Sequence, residues 1–146
     1  MSVLESFLAY AVAFEETYAD DDWSRLRQYF TEDAVYQTSG AELFAIKAEG
    51  LDAVLDGLHG AVNGFDRRFD NRHVELVSDP VEHDGVVTFD WIGHYTVEGA
   101  PELTIAGRET AVYETGRIKR LDDAFTPEVG KLMAQWMAEH ADRLRG

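Results

Sequence analysis

The spacing of apolar residues along the chain changes several times, and each change marks an element. Leu4, Phe7, Ala11, Phe14 and Tyr18 recur at the spacing of one helical face. Ser2 followed by Glu5 forms a capping box ahead of them, which predicts a first helix from about Val3 to Tyr18. Trp23, Leu26, Tyr29 and Phe30 repeat that spacing in DDWSRLRQYF, with Asp20 to Asp22 as N-cap and dipole-facing charge. Thr31-Glu32-Asp33 breaks this second helix, and Ala34-Val35-Tyr36 begins an extended run. SGAELFAIKAEG reads as a loop or short hairpin. Leu51, Val54, Leu55, Leu58 and Val62 return to helical spacing between Gly50 and Gly64.

From Phe65 the period shortens. Phe69 to Val77, Val86 to Val97, Leu103 to Glu114 and Ile118 to Phe125 read as the four strands of a meander. Asp79-Pro80, Asp84-Gly85 and Glu98-Gly99-Ala100-Pro101 interrupt them, and Glu114-Thr115-Gly116-Arg117 is a hairpin turn. Thr126 and Pro127 then start a last helix, about 127–144. Leu132, Met133, Trp136, Met137 and His140 share one of its faces, suited to packing, to lidding a cavity mouth or to meeting a partner subunit. Helices with a lone strand, then a run of antiparallel strands, then a helix define an α+β class. No linker or repeat divides the chain, so one domain over 1–146 is predicted, with its core in about 1–125.

Composition narrows the function. The net charge of −15 repels phosphate backbones and anionic lipid surfaces, so neither nucleic acid nor membrane is an expected partner. The absence of cysteine removes disulfides, thiolate chemistry and Cys-ligated zinc. MSVLESFLAY has no basic n-region and no apolar run approaches a membrane span, which predicts a cytoplasmic protein. His59, His73, His83, His94 and His140 show no ligand spacing, so neither metal nor organic cofactor is expected.

The helix, break and strand over Asp21 to Tyr36 resemble the opening of the nuclear transport factor 2-like superfamily. The resemblance covers nearly all of residues 1–125; the last helix is an addition. It implies a curved sheet wrapped on the N-terminal helices, a cystatin-like cone with a hollow for a ligand, and a convex face that often dimerises. Strand alternation then sorts the side chains. Val87, Phe89, Trp91, Gly93, Tyr95 and Val97 should face the hollow, with Ile92, His94 and Thr96 on the convex side as a homodimer surface. On Leu103 to Glu114 the inward set includes Glu109 and Tyr113; a bulge would return Glu109 to solvent. Leu121 and Asp123 share a face on the last strand, opposite Arg120 and Asp122.

Two catalytic relatives can be compared position by position. Ketosteroid isomerases place their carboxylate base where this chain has Thr38, which is no base near neutral pH. Their helix-one tyrosine falls at Phe14, and their oxyanion-hole Asp falls near Arg108. Limonene epoxide hydrolases match at Tyr36 and Asp123, and Thr38 stands where their water-holding Asn does. Their Arg and Asp, however, align with Trp91 and Gly93. Neither reaction carries over whole. The looser resemblance to polyketide-cyclase-like members implies an aromatic-lined pocket for a small apolar or amphipathic molecule. Asp123 would be the base, or Glu109 if buried, with Tyr36 donating to an oxyanion and His73 or His94 assisting. The expected walls are Phe14, Tyr18, Trp23, Thr38, Leu58, Phe89, Trp91, Tyr95 and Tyr113. The competing reading is a non-catalytic homodimeric scaffold whose cone is filled by its own Trp91, Tyr95 and Trp136.

Overall fold

The computed structural model describes residues 1–146 and has the α+β architecture the residue pattern predicts. Three α-helices, α1 (Val3–Asp20), α2 (Leu51–Gly64) and α3 (Pro127–His140), pack with seven strands. These are β1 (Phe30–Ser39), β2 (Lys47–Glu49), β3 (Asn71–Leu76), β4 (Val81–His83), β5 (Val86–Thr96), β6 (Leu103–Glu114) and β7 (Arg117–Ala124). They form one curved, unclosed sheet in the order β2-β1-β7-β6-β5-β3, with β4 also paired to β5. All pairings are antiparallel except β1 with β7. No helix is long and apolar enough to cross a membrane.

The capping box forms as expected: Glu5 N–H donates to Ser2 Oγ at 3.1 Å and Ser2 N–H to Glu5 Oε1 at 3.2 Å. The buried stripe of α1 is Phe7, Tyr10, Ala13 and Thr17, rotated from the one that its largest apolar residues outline. Thr17 can be buried because its hydroxyl donates to the Ala13 carbonyl at 2.8 Å.

Three local expectations are corrected. The second helix is a 3-10 helix over Trp23–Tyr29, and Asp22 at its start makes no side-chain cap. The acidic run acts elsewhere: Asp21 ends α1 at φ 61, and Asp20 holds Arg25 at 2.5 Å. The break at Thr31-Glu32-Asp33 is an irregularity inside a strand, since β1 starts at the fully buried Phe30 and shifts register between Phe30 and Val35. The lone strand is no loner. It adds to the meander by parallel pairing with β7.

Two apolar cores share the sheet. One gathers Phe7, Tyr10, Leu26, Phe30, Val54, Ile118 and Leu121 under α1 and α2. The other gathers Phe69, Tyr95, Leu103, Ile105, Met133 and Trp136 under α3. The helix α3 approaches through glycine: a Cβ on Gly130 would stand 2.1 Å from the Gly40 carbonyl oxygen. Between the two cores the concave side stays open.

Candidate functional site

The sheet register assembles the site. Phe89 lies opposite Glu109, Glu109 opposite Asp123, and Asp123 beside Thr38, so one row crosses β5, β6, β7 and β1. Directly opposed side chains on one face lie within contact range. The row forms part of the wall of a cavity of about 960 Å³. Tyr10 and Phe14 from α1, Tyr36 from β1, Leu58 from α2, and Trp91, Tyr95 and Ile105 from the sheet extend that wall. Leu43, Phe44 and Ile46 close one side, and Met133 and Met137 of α3 another.

Glu109 and Asp123 are half-buried, and both line the cavity. Their carboxyls stand side by side across the β6–β7 pairing, close enough to perturb each other's ionisation. Asp123 Oδ1 is shielded from water and has no hydrogen-bond donor, a state that a proton on the neighbouring Glu109 would relieve. Burial pushes Glu109 well above the usual carboxylate range, and the Asp123 charge adds to the effect. Burial also raises Asp123, to about 7, against the opposing pull of Glu109 and the Trp91 indole. Both shifts favour a pair that holds a proton at neutral pH.

Trp91 reaches the pair because its cross-strand partner is Gly107. A Cβ there would lie 2.6 Å from the indole ring. With no side chain at Gly107, the indole occupies that space, near enough to the Asp123 carboxyl to favour its ionised form. Phe125 meets the ring edge-on at 5.8 Å. Burial, then the two carboxyls, hold the Tyr36 hydroxyl well above the phenol range, so it is a fixed donor. Tyr10 is held protonated by the same causes, burial first.

A second polar group stands on the same wall. Asp66 faces Arg72 Nε at 2.8 Å, and Arg72 also meets Glu15 at 3.3 Å. Burial raises Asp66 to about 6, against the pull of Arg72.

Several expected wall residues stand elsewhere. Tyr18 lies beneath the guanidinium of Arg72, 4.5 Å from ring centre, and Trp23 stacks on His59 at 4.7 Å; neither lines the cavity. Tyr113 lies behind the wall with its hydroxyl buried and unpartnered. Thr38 lines the cavity, but its hydroxyl donates to the Phe44 carbonyl at 2.6 Å and accepts from Ile46 N–H at 2.8 Å, tying down the β1–β2 loop. His73 and His94 lie off the cavity; His94 bridges Glu75 at 3.2 Å and Glu102 at 3.6 Å. Arg120 pairs with Asp122 at 2.8 Å and leaves Asp123 free of cations. Trp136 packs outside the cavity and donates to the Pro101 carbonyl at 2.9 Å.

The comparisons with known proteins agree with this fold. The family model of the SnoaL-like domain matches residues 11–121. No curated protein matches the sequence. Among solved structures, TerC co-crystallised with polyporic acid is similar at 12% identity and TM-score 0.67, over 91% of this chain and 98% of that one. A protein of ketosteroid isomerase-like fold from Catenulispora acidiphila, in complex with trimethylamine, is 14% identical at TM-score 0.61, over 87% of this chain and 91% of that one. A polyketide-cyclase-like protein from Xanthomonas campestris is 18% identical at TM-score 0.58, over 94% of this chain and 98% of that one. At these identities the likeness is one of fold.

Proposed function

The chain belongs to the SnoaL-like family of the nuclear transport factor 2-like superfamily, and from that premise we propose a small-molecule-binding protein that performs acid–base chemistry with its own carboxyls. The observation that carries this reading is the open cavity of about 960 Å³ with Glu109 and Asp123 paired on its wall. A cone filled by its own aromatics would leave no such space, and Trp136 stands outside it. The volume is that of a site for a drug-sized molecule. Two structural neighbours hold small molecules, polyporic acid and trimethylamine, in the same kind of fold.

In this reading Asp123 takes a proton from the ligand while Tyr36 donates to the oxygen on which charge develops. Glu109 keeps its proton on Asp123 in the resting pair and returns one at the end of the cycle. The walls select a largely apolar ligand. Copies associate through the outer sheet face around Ile92, His94 and Thr96.

The test starts with a metabolite screen by thermal shift, followed by turnover of the hits. Asp123→Asn should lower turnover by roughly 10²–10⁴ while binding persists. Tyr36→Phe should lower it on the order of 10²-fold. Unchanged turnover in Asp123→Asn would refute the assignment.

A further inference from the structure

Two arginines that the acid–base reading does not use, Arg68 and Arg72, line the cavity, and only Arg68 lacks a carboxylate partner. Five arginines of this chain are half-buried: Arg25, Arg67, Arg68, Arg72 and Arg120. Four have a carboxylate: Arg25 meets Asp20 at 2.5 Å, Arg67 meets Asp21 at 2.6 Å, Arg72 meets Asp66 at 2.8 Å, and Arg120 meets Asp122 at 2.8 Å. Arg68 has none within 4.0 Å, in a chain with 28 acidic residues and 13 basic ones. It is nevertheless held in place. Its Nε donates to the Arg145 carbonyl at 2.9 Å, and its own carbonyl accepts from Arg145 N–H at 3.0 Å. The terminal nitrogens Nη1 and Nη2 make no hydrogen bond within the chain, and the residue lines the cavity. A guanidinium fixed at Nε and vacant at both Nη atoms presents the fork that binds a carboxylate through two parallel hydrogen bonds.

Its place in the sheet frame separates it from the acid pair. Phe65 and Phe69, which flank Arg68 in sequence, pack on Tyr95 at 5.0 and 5.2 Å. Tyr95 stands six residues along β5 from Phe89, the residue opposite Glu109, with its ring turned back over Gly93 toward the pair. Apolar and aromatic side chains, among them Phe65, Trp91 and Ile105, line the interval.

We infer that the ligand is an apolar acid: its carboxylate is received by the Nη groups of Arg68 and its uncharged end reaches the Glu109–Asp123 pair. The inference rests on the cavity reading above and adds a polarity to it. Near Arg68 the carboxylates of Asp66 and Glu15 are already paired with Arg72, whereas Glu109 and Asp123 have no cation, so the ligand's anionic end is directed to Arg68.

The experiment compares naphthylbutyrate with the uncharged naphthylbutanol by calorimetry at neutral pH. The wild-type protein should bind the acid at least about tenfold tighter. Arg68→Gln should bring that ratio to about one with the affinity for the alcohol unchanged, which also shows the cavity intact. Arg68→Lys should keep part of the preference, and about 1 M salt should shrink it in the wild type. Equal affinities in the wild type, or a ratio that survives Arg68→Gln and high salt, would overturn this inference and leave the cavity reading standing. If neither probe binds, the cavity reading fails and takes this one with it.

Discussion

Two carboxylic acids placed side chain to side chain in a protein interior are costly unless they hold a proton between them. Glu109 and Asp123 are such a pair, and the cost has a sign that can be measured. Both carboxyls have folded pKa values above those of the unfolded chain, where Asp lies near 3.8. The folded state therefore keeps a proton that the unfolded chain releases, so this contribution is present at low pH and lost as pH rises through about 7. Asp66, raised to about 6, acts in the same direction. Urea unfolding should show stability falling by on the order of 2–4 kcal/mol between pH 5 and pH 8 from the carboxyl pair. Glu109→Gln should remove at least half of that fall; an unchanged slope would mean the pair does not share a proton. The inward facing of Glu109 and Asp123 was legible because strands alternate with a period of two and β6 runs regular as far as Val112. Tyr18 and Trp23 misled because helical spacing reveals which residues are apolar together, and not whether a cavity or a neighbouring cation lies opposite. Asp66, Arg68 and Arg72 gave no signal, since a 3-10 turn and an edge strand impose no period on charges.

At the scale of elements, the caps of α1 and α3 were readable from a few residues, while the one expected at Asp20–Asp22 was not. The Thr126–Pro127 start of α3 is one case, with Val129 N–H donating to Thr126 Oγ1 at 3.2 Å. Pairing partners were not readable. Nothing in Ala34-Val35-Tyr36 states that β7 will be its parallel neighbour, because that choice is made by the whole sheet closing over α1 and α2. The seating of α3 also depends on a contact no local pattern reveals, the backbone approach of Gly130 to Gly40. Gly130→Ala should cost about 1–3 kcal/mol and loosen α3, read as a red shift of Trp136 fluorescence. Gly60→Ala is the control: a Cβ there meets nothing within 4 Å on a helix, so stability should rise by up to about 1 kcal/mol.

For the molecule as a whole, the outer face of β5 and β6 carries the cross-strand ion pair of Asp90 with Arg108 at 2.8 Å and the His94 bridges, interleaved with Ile92 and Thr96. A homodimer through this face predicts a two-chain species by sedimentation at micromolar concentration, reduced to one chain by Ile92→Glu. A wild-type monomer at that concentration would count against it. The parallel pairing of β1 with β7 has a further consequence in time. It sets Thr38 beside Asp123, 85 positions later, so a long chain must be drawn closed before that contact repays the loss of freedom. During synthesis the tyrosine side of the cavity is made early, while both carboxyls arrive only with β6 and β7. The hollow cannot be complete on a nascent chain that still lacks its seventh strand, so ligand can stabilise the fold only once β7 has been made.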